Sequence, residues 1–136
     1  PRIAAAVIYG RGAFFRADLA TEYVPESEDL AELAFGSSRR SAEEKLAGYR
    51  RAGELVRALG KAGVAHPDLN LKNILIGFAG DPGAWVLDLD RARAAAPNDG
   101  RGMWSRLQRS LAKWQRESGK TIQPELARAL EAGFRE

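Results

Sequence analysis

The residues best equipped for chemistry lie between His66 and Asp90. Asp68 is followed five positions later by Asn73, and Asp88 comes fifteen positions after that. The stretch from Val64 to Ile76 reads as a polar loop between a long helix and a strand, and Trp85 to Leu89 as a second strand that returns the chain. Such a hairpin brings Asp88 back beside Asn73 and Asp68, so three oxygen-bearing side chains converge on one cleft. Mg2+ prefers hard oxygen ligands and keeps several waters, so one carboxylate and one amide suffice when substrate phosphates supply the rest. A separate carboxylate must then face an acceptor hydroxyl and take its proton. The pattern points to Mg2+-dependent phosphoryl transfer, with Asp68 as base and Asn73 and Asp88 as metal ligands. The one histidine, His66, is expected to orient its loop by hydrogen bonding. With no cysteine in the chain, a zinc site lacks ligands.

Several elements must position these groups. Residues 3–9 and 14–20 read as two strands joined by a tight turn at Gly10 to Gly12, with Pro25 ending the second. Ser27, followed by two acids, is expected to cap a helix running to about Phe35 and stopped by Gly36. Ser41 and Glu44 form a capping box for a longer helix to about Lys61, lined on one face by Leu46, Tyr49, Val56 and Leu59. Asn73 to Phe78 and Trp85 to Leu89 form a hairpin across a loop of about five or six residues. Met103, Leu107, Leu111 and Trp114 mark a further helix, and Pro124 suits the first turn of a last one. No strand–helix–strand unit repeats, so the expected class is α+β, mostly α.

The forms His66-Pro67-Asp68-Leu69-Asn70-Leu71-Lys72-Asn73 and Asp88-Leu89-Asp90 resemble the kinase catalytic loop H-R-D-x-x-x-x-N and its metal motif D-F-G. Asn70, two after the base, and the D-L-D form differ from protein kinases. Together with the Arg106-Leu107-Gln108-Arg109-Ser110-Leu111-Ala112-Lys113 segment, they are similar to the bacterial lipopolysaccharide kinases that act on 3-deoxy-D-manno-octulosonic acid (Kdo). The resemblance covers nearly the whole chain. It implies a protein-kinase-like fold, with residues 1–24 as the end of the small lobe and hinge and residues 25–136 as the large, C-terminal lobe. Thr21-Glu22-Tyr23-Val24-Pro25 looks like a kinase hinge, in which the Glu22 carbonyl and the Val24 amide would meet adenine. The implied activity is transfer of phosphate from ATP, with Mg2+, to a sugar hydroxyl of the Kdo–lipid A region. It would occur at the cytoplasmic face of the inner membrane, on a peripherally bound enzyme. Arg91, Arg93, Arg106, Arg109 and Lys113 would then meet an anionic acceptor or an anionic membrane surface. The residues before the hinge contain no lysine and no G-x-G-x-x-G turn, so the chain is expected to be part of a longer enzyme and to bind ATP poorly alone.

Composition narrows the alternatives. With 136 residues and 45% apolar content, the chain has enough material for one domain with a core. No apolar run approaches the roughly 20 residues of a membrane-spanning helix, and residues 1–9 lack the features of a secretory signal. Charge is uneven: residues 1–88 carry 11 basic against 12 acidic side chains, and residues 89–136 carry 10 against 6. That bias favours a phosphate-rich or anionic partner. Aromatics are 8% of residues and do not interleave with the basic ones, so no nucleic-acid partner is expected. Two rivals remain: a kinase-fold enzyme acting on aminoglycosides, other small alcohols or a protein, and a non-catalytic pseudokinase-like scaffold. Retention of Asp68, Asn73 and Asp88 together argues against the scaffold.

Overall fold

The computed structural model describes residues 2–12, 14–80 and 82–136. The chain opens with β1 (Ile3–Arg11) and β2 (Phe14–Thr21), an antiparallel pair in which Val7 faces Asp18 and Tyr9 faces Arg16. Gly12 sits in the turn with φ +60°, a conformation that glycine adopts without cost. Ala13 of the expected turn lies outside the described residues. This two-stranded sheet bonds to no other strand among the described residues, and it leaves Ile3, Ile8, Phe14 and Leu19 exposed.

The next segment departs from the sequence expectation. Ser27 does not cap a helix; its hydroxyl donates to the Val24 carbonyl at 2.8 Å. Ser27–Asp29 instead forms β3, which pairs antiparallel with β5 (Ile74–Gly77), and β5 pairs in turn with β6 (Ala84–Val86). The helix α1 (Leu30–Phe35) starts later, capped by Asp29, whose carboxylate accepts from the Glu32 N–H at 2.9 Å. Asp29 caps as well as serine does, and β5 would otherwise have an unpaired edge. That edge decides the boundary. The hairpin strand expected to reach Leu89 also ends early, at Val86, because the backbone turns to positive φ at Asp88.

The long helix α2 (Ala42–Lys61) begins as expected. Glu44 N–H donates to the Ser41 hydroxyl at 3.2 Å, and Ser41 N–H donates to the Glu44 carboxylate at 2.8 Å. That backbone donor, together with the Ser41 hydroxyl and Arg40, holds the Glu44 carboxyl below its ordinary value. Arg40 also pairs with Glu26 and Glu28 and lies 4.3 Å from the centre of the Phe78 ring, tying the start of α2 to the sheet. Two short strands unread from the sequence, β4 (Val64–Ala65) and β7 (Arg93–Ala94), pair on either side of the segment that carries the candidate site residues Asp68, Asn73 and Asp88. Helices α3 (Arg101–Ser118) and α4 (Pro124–Arg135) follow, so the described residues make a mixed α/β fold of four helices and small antiparallel sheets.

The core gathers Leu30, Leu33, Val56, Leu71, Ile74, Ile76, Leu107 and Leu130. Helices α2 and α4 cross with almost nothing between them. A Cβ on Gly53 would overlap the Leu130 carbonyl, and one on Gly133 would overlap the Arg50 carbonyl. Tyr49 is fully buried, and its hydroxyl donates to the Leu30 carbonyl at 2.8 Å. Burial, with the nearby negative charge of Asp29 adding to it, pushes the phenol far above its ordinary value, so it remains a donor throughout the working range of pH. Replacing Tyr49 by Phe leaves that carbonyl without its donor in an apolar site. The expected loss is about 1–3 kcal/mol in urea unfolding with little change in m-value.

Candidate active site

The segment between β4 and β5 is a knot of short-range hydrogen bonds fixed to the core at two points. Leu69 and Leu71 are buried and act as plugs. Between them, the Asn70 side chain accepts from the Lys72 N–H at 2.9 Å and donates to the Asp68 carbonyl at 3.0 Å, while Asn73 N–H donates to the Asn70 carbonyl at 3.1 Å. This closes a single 3-10 turn over Leu71–Asn73. From α3, the Ser110 hydroxyl accepts from the Leu71 N–H at 3.2 Å and fixes the loop to that helix.

Three of the five candidate site residues come together on this frame. Leu87 N–H donates to the Asn73 carbonyl at 2.8 Å, which brings the residue before Asp88 against the end of the loop. His66, buried to 2% exposure, donates from Nε2 to the Asp88 carbonyl at 2.9 Å. A carbonyl only accepts, so the proton is on Nε2. His66 Nδ1 is buried without a partner among the described residues. His66 therefore orients the backbone of the neighbouring loop, where the sequence suggested its own. Asp88 stands at φ +57°, a region costly for most side chains but open to Asp and Asn. Its carboxylate is exposed, as is that of Asp68.

The donor set suits magnesium. Asn73 donates through Nδ2 to the Asp68 carbonyl at 3.4 Å, which leaves Oδ1 as the amide atom available to a cation. With the Asp88 carboxylate, this makes a pair of hard oxygen donors. No group of three His, Cys, Asp or Glu side chains gathers among the described residues, so further ligands would come from substrate phosphate and water. Asp68 is held otherwise: Arg91 Nη1 lies 2.9 Å from its Oδ2, and both side chains are exposed. An exposed pair of this kind contributes about 0–1 kcal/mol, so it yields readily to a ligand.

Glu22 and Val24 lie elsewhere. They line a separate hollow of about 260 Å3 with Arg2, Tyr23, Ala79 and Trp85. Glu22 N–H is taken by the Arg2 carbonyl at 2.9 Å. The link to Asp88 runs through β6, which carries Trp85 three residues before it. The basic residues grouped together in sequence also divide. Arg106, Arg109 and Lys113 line a cavity of about 620 Å3 beside Asp68 and Asn73, while Arg93 borders a neighbouring one of about 410 Å3 next to His66 and Pro67, with Arg106 lining both. Sequence reasoning missed Ser110 as an anchor and Arg91 as the partner of Asp68; both contacts span positions that no local spacing rule connects.

The chain belongs to the lipopolysaccharide kinase (Kdo/WaaP) family, whose model matches residues 1–123. It is similar to the 3-deoxy-D-manno-octulosonic acid kinase of Vibrio cholerae serotype O1, with 33% identity over 114 residues, covering 83% of this chain and 46% of that protein. The kinase of the same name from Stenotrophomonas maltophilia is 32% identical over 138 residues, covering 97% of this chain and 51% of that protein. The chain thus spans about half the length of the curated relatives it matches. Among solved structures, WaaP in complex with acyl carrier protein shares its fold, at a TM-score of 0.64 and 21% identity, over 98% of this chain and 58% of that one. Among the described residues, no helix is long and apolar enough to cross a membrane.

His66→Phe keeps the buried volume but removes the donor to the Asp88 carbonyl. The variant is expected to lose about 1–3 kcal/mol in denaturant unfolding. In the full-length protein it should also bind Mg2+-nucleotide more weakly, as isothermal titration would show.

Proposed function

We propose that the full-length protein is an ATP-dependent kinase that phosphorylates a sugar hydroxyl of the Kdo–lipid A region during lipopolysaccharide core biosynthesis. In this reading, residues 1–24 are the end of the small lobe and the hinge, and residues 25–136 the large lobe. Adenine meets the Glu22 carbonyl and the Val24 amide, and the enzyme works peripherally on the cytoplasmic face of the inner membrane. The observation that carries the reading is the pair of bonds joining the two loops, His66 Nε2–H to the Asp88 carbonyl and Leu87 N–H to the Asn73 carbonyl. They tie the loop that carries Asp68 and Asn73 to the loop that carries Asp88, which supports assigning the exposed carboxylate and the two oxygen donors to one site. Family membership supports the acceptor class.

The roles follow from position. The Asp68 carboxylate is exposed and takes the proton of the acceptor hydroxyl as the hydroxyl oxygen bonds to the γ-phosphorus of ATP and the bond from that phosphorus to the ADP oxygen breaks, with ADP leaving. Asn73 Oδ1 and the Asp88 carboxylate hold the divalent cation. Bound by these two groups, magnesium would supply positive charge to offset that of the phosphate oxygens. Arg91 aligns the Asp68 carboxylate until the acceptor arrives.

The reading is tested on the full-length protein with Mg-ATP and Kdo–lipid A. Asp68→Asn is expected to lower kcat by about 100- to 10,000-fold while nucleotide binding stays within a few-fold of wild type. Asp88→Asn, a residue that tolerates the same positive φ, should instead weaken Mg2+-dependent nucleotide binding. Transfer of phosphate to small alcohols or protein but not to Kdo–lipid A would remove the acceptor assignment. Wild-type turnover by Asp68→Asn would remove the base.

A further inference from the structure

The cavity beside Asp68 has an unbalanced charge. Its wall includes Lys72 from the catalytic loop and Arg106, Arg109 and Lys113 from α3, against Asp68 as its acid. The three α3 residues follow i, i+3 and i+7, so they share one helix face. Neither Arg106 nor Arg109 makes an ion pair or side-chain hydrogen bond with another described residue; Lys113 has a loose partner in exposed Glu117, at 3.8 Å. Lys72 reaches Asp29 at 3.6 Å, and Asp68 is already matched by Arg91. Like charges held along one wall repel, and among the described residues Arg106 and Arg109 have no acidic partner to offset them. Ser110, on the same face, is hydrogen-bonded to Leu71 N–H, so the basic row is registered to the loop that carries Asp68.

We propose that this groove is an anion subsite that holds a phosphate or carboxylate group of the acceptor itself and so selects which hydroxyl meets Asp68. The inference rests on Asp68 being the base of acceptor phosphorylation. A concave site suits one discrete anionic group. Arg116 continues the same face of α3 beyond Lys113, is exposed and does not line the cavity, so a flat anionic membrane would engage it together with the basic row whereas a discrete group in the groove would not. Arginine in particular suits these oxyanions, because its planar fork can donate two parallel hydrogen bonds.

The experiment uses full-length protein with detergent-dispersed Kdo–lipid A. The double variant Arg106→Gln/Arg109→Gln is expected to raise the acceptor KM by about 10- to 100-fold, the loss of one or two charge-assisted bonds. Most of the loss should reside in that KM, with kcat and the KM for ATP within about twofold. Arg116→Gln should leave the acceptor KM unchanged. Phosphatase-treated acceptor and carboxyl-methylated acceptor then identify the anion, since removing the recognised group erases the difference between wild type and double variant. A difference that survives both treatments overturns the proposal. So does an equal effect of Arg116→Gln, which would indicate a membrane surface, or a rise in the KM for ATP, which would assign the groove to nucleotide. Direct titration with glucosamine 1-phosphate against glucosamine, followed by calorimetry, is independent of turnover. Preference for the phosphate that is lost in the double variant upholds the subsite even if Kdo–lipid A is not the acceptor. No preference, in an enzyme whose variant turns over normally, removes the subsite and leaves the kinase reading intact.

Discussion

The hydrogen bond from buried His66 to the Asp88 carbonyl is the constraint on which the site depends. Asp68 and Asp88 lie on different loops, and neither carboxylate is buried, so packing alone would not fix their separation. The imidazole sits in the core and reaches across, holding the backbone of one loop from the root of the other. Asp88 pays for this with a left-handed backbone, at a cost of about 1–2 kcal/mol for an ordinary residue and less for Asp. The next contact, Leu87 N–H to the Asn73 carbonyl, then aligns the two donors expected to face a cation. A rigid, buried base under exposed functional groups lets side chains meet solvent and substrate while their backbones stay still.

The same division recurs at Asp68. Its neighbours Leu69 and Leu71 are buried, and Asn70 uses its amide to close the turn. The residue two after the base, read in sequence as a mark of acceptor class, thus also has a plain mechanical role. Both roles fit one side chain, and motif spacing cannot separate them.

Much of this was legible in the sequence. The capping box at Ser41 and Glu44, the helix stripe from Met103 to Trp114 and the hairpin after Asn73 all follow from local periodicity or pairing chemistry, and each is present. The helix start at Ser27 failed because two good caps stood two residues apart, and the choice fell to a distant strand. The edge of β5 recruits Ser27–Asp29, which no local rule shows. The β4–β7 pair was unreadable for a related reason, since two-residue strands carry no period. Within the site, the convergence of Asp68, Asn73 and Asp88 follows from the hairpin, whereas Arg91 and Ser110 depend on where α3 and the following loop are laid. Glu22 and Val24 border a different hollow, joined to the rest through β6.

The crossing of α2 and α4 at Gly53 and Gly133 has a consequence for how such a chain can change over generations. With backbone set against backbone, there is no side chain whose trimming or growth could adjust the spacing, so the pair behaves as a frame of fixed gauge. Substitutions that leave this frame intact are those that fall outward, onto surfaces that touch nothing in it. The exposed face of α3, away from Trp104 where it stacks on Phe134 of α4, is such a surface, and new residues can be tried there without disturbing what holds the helices together.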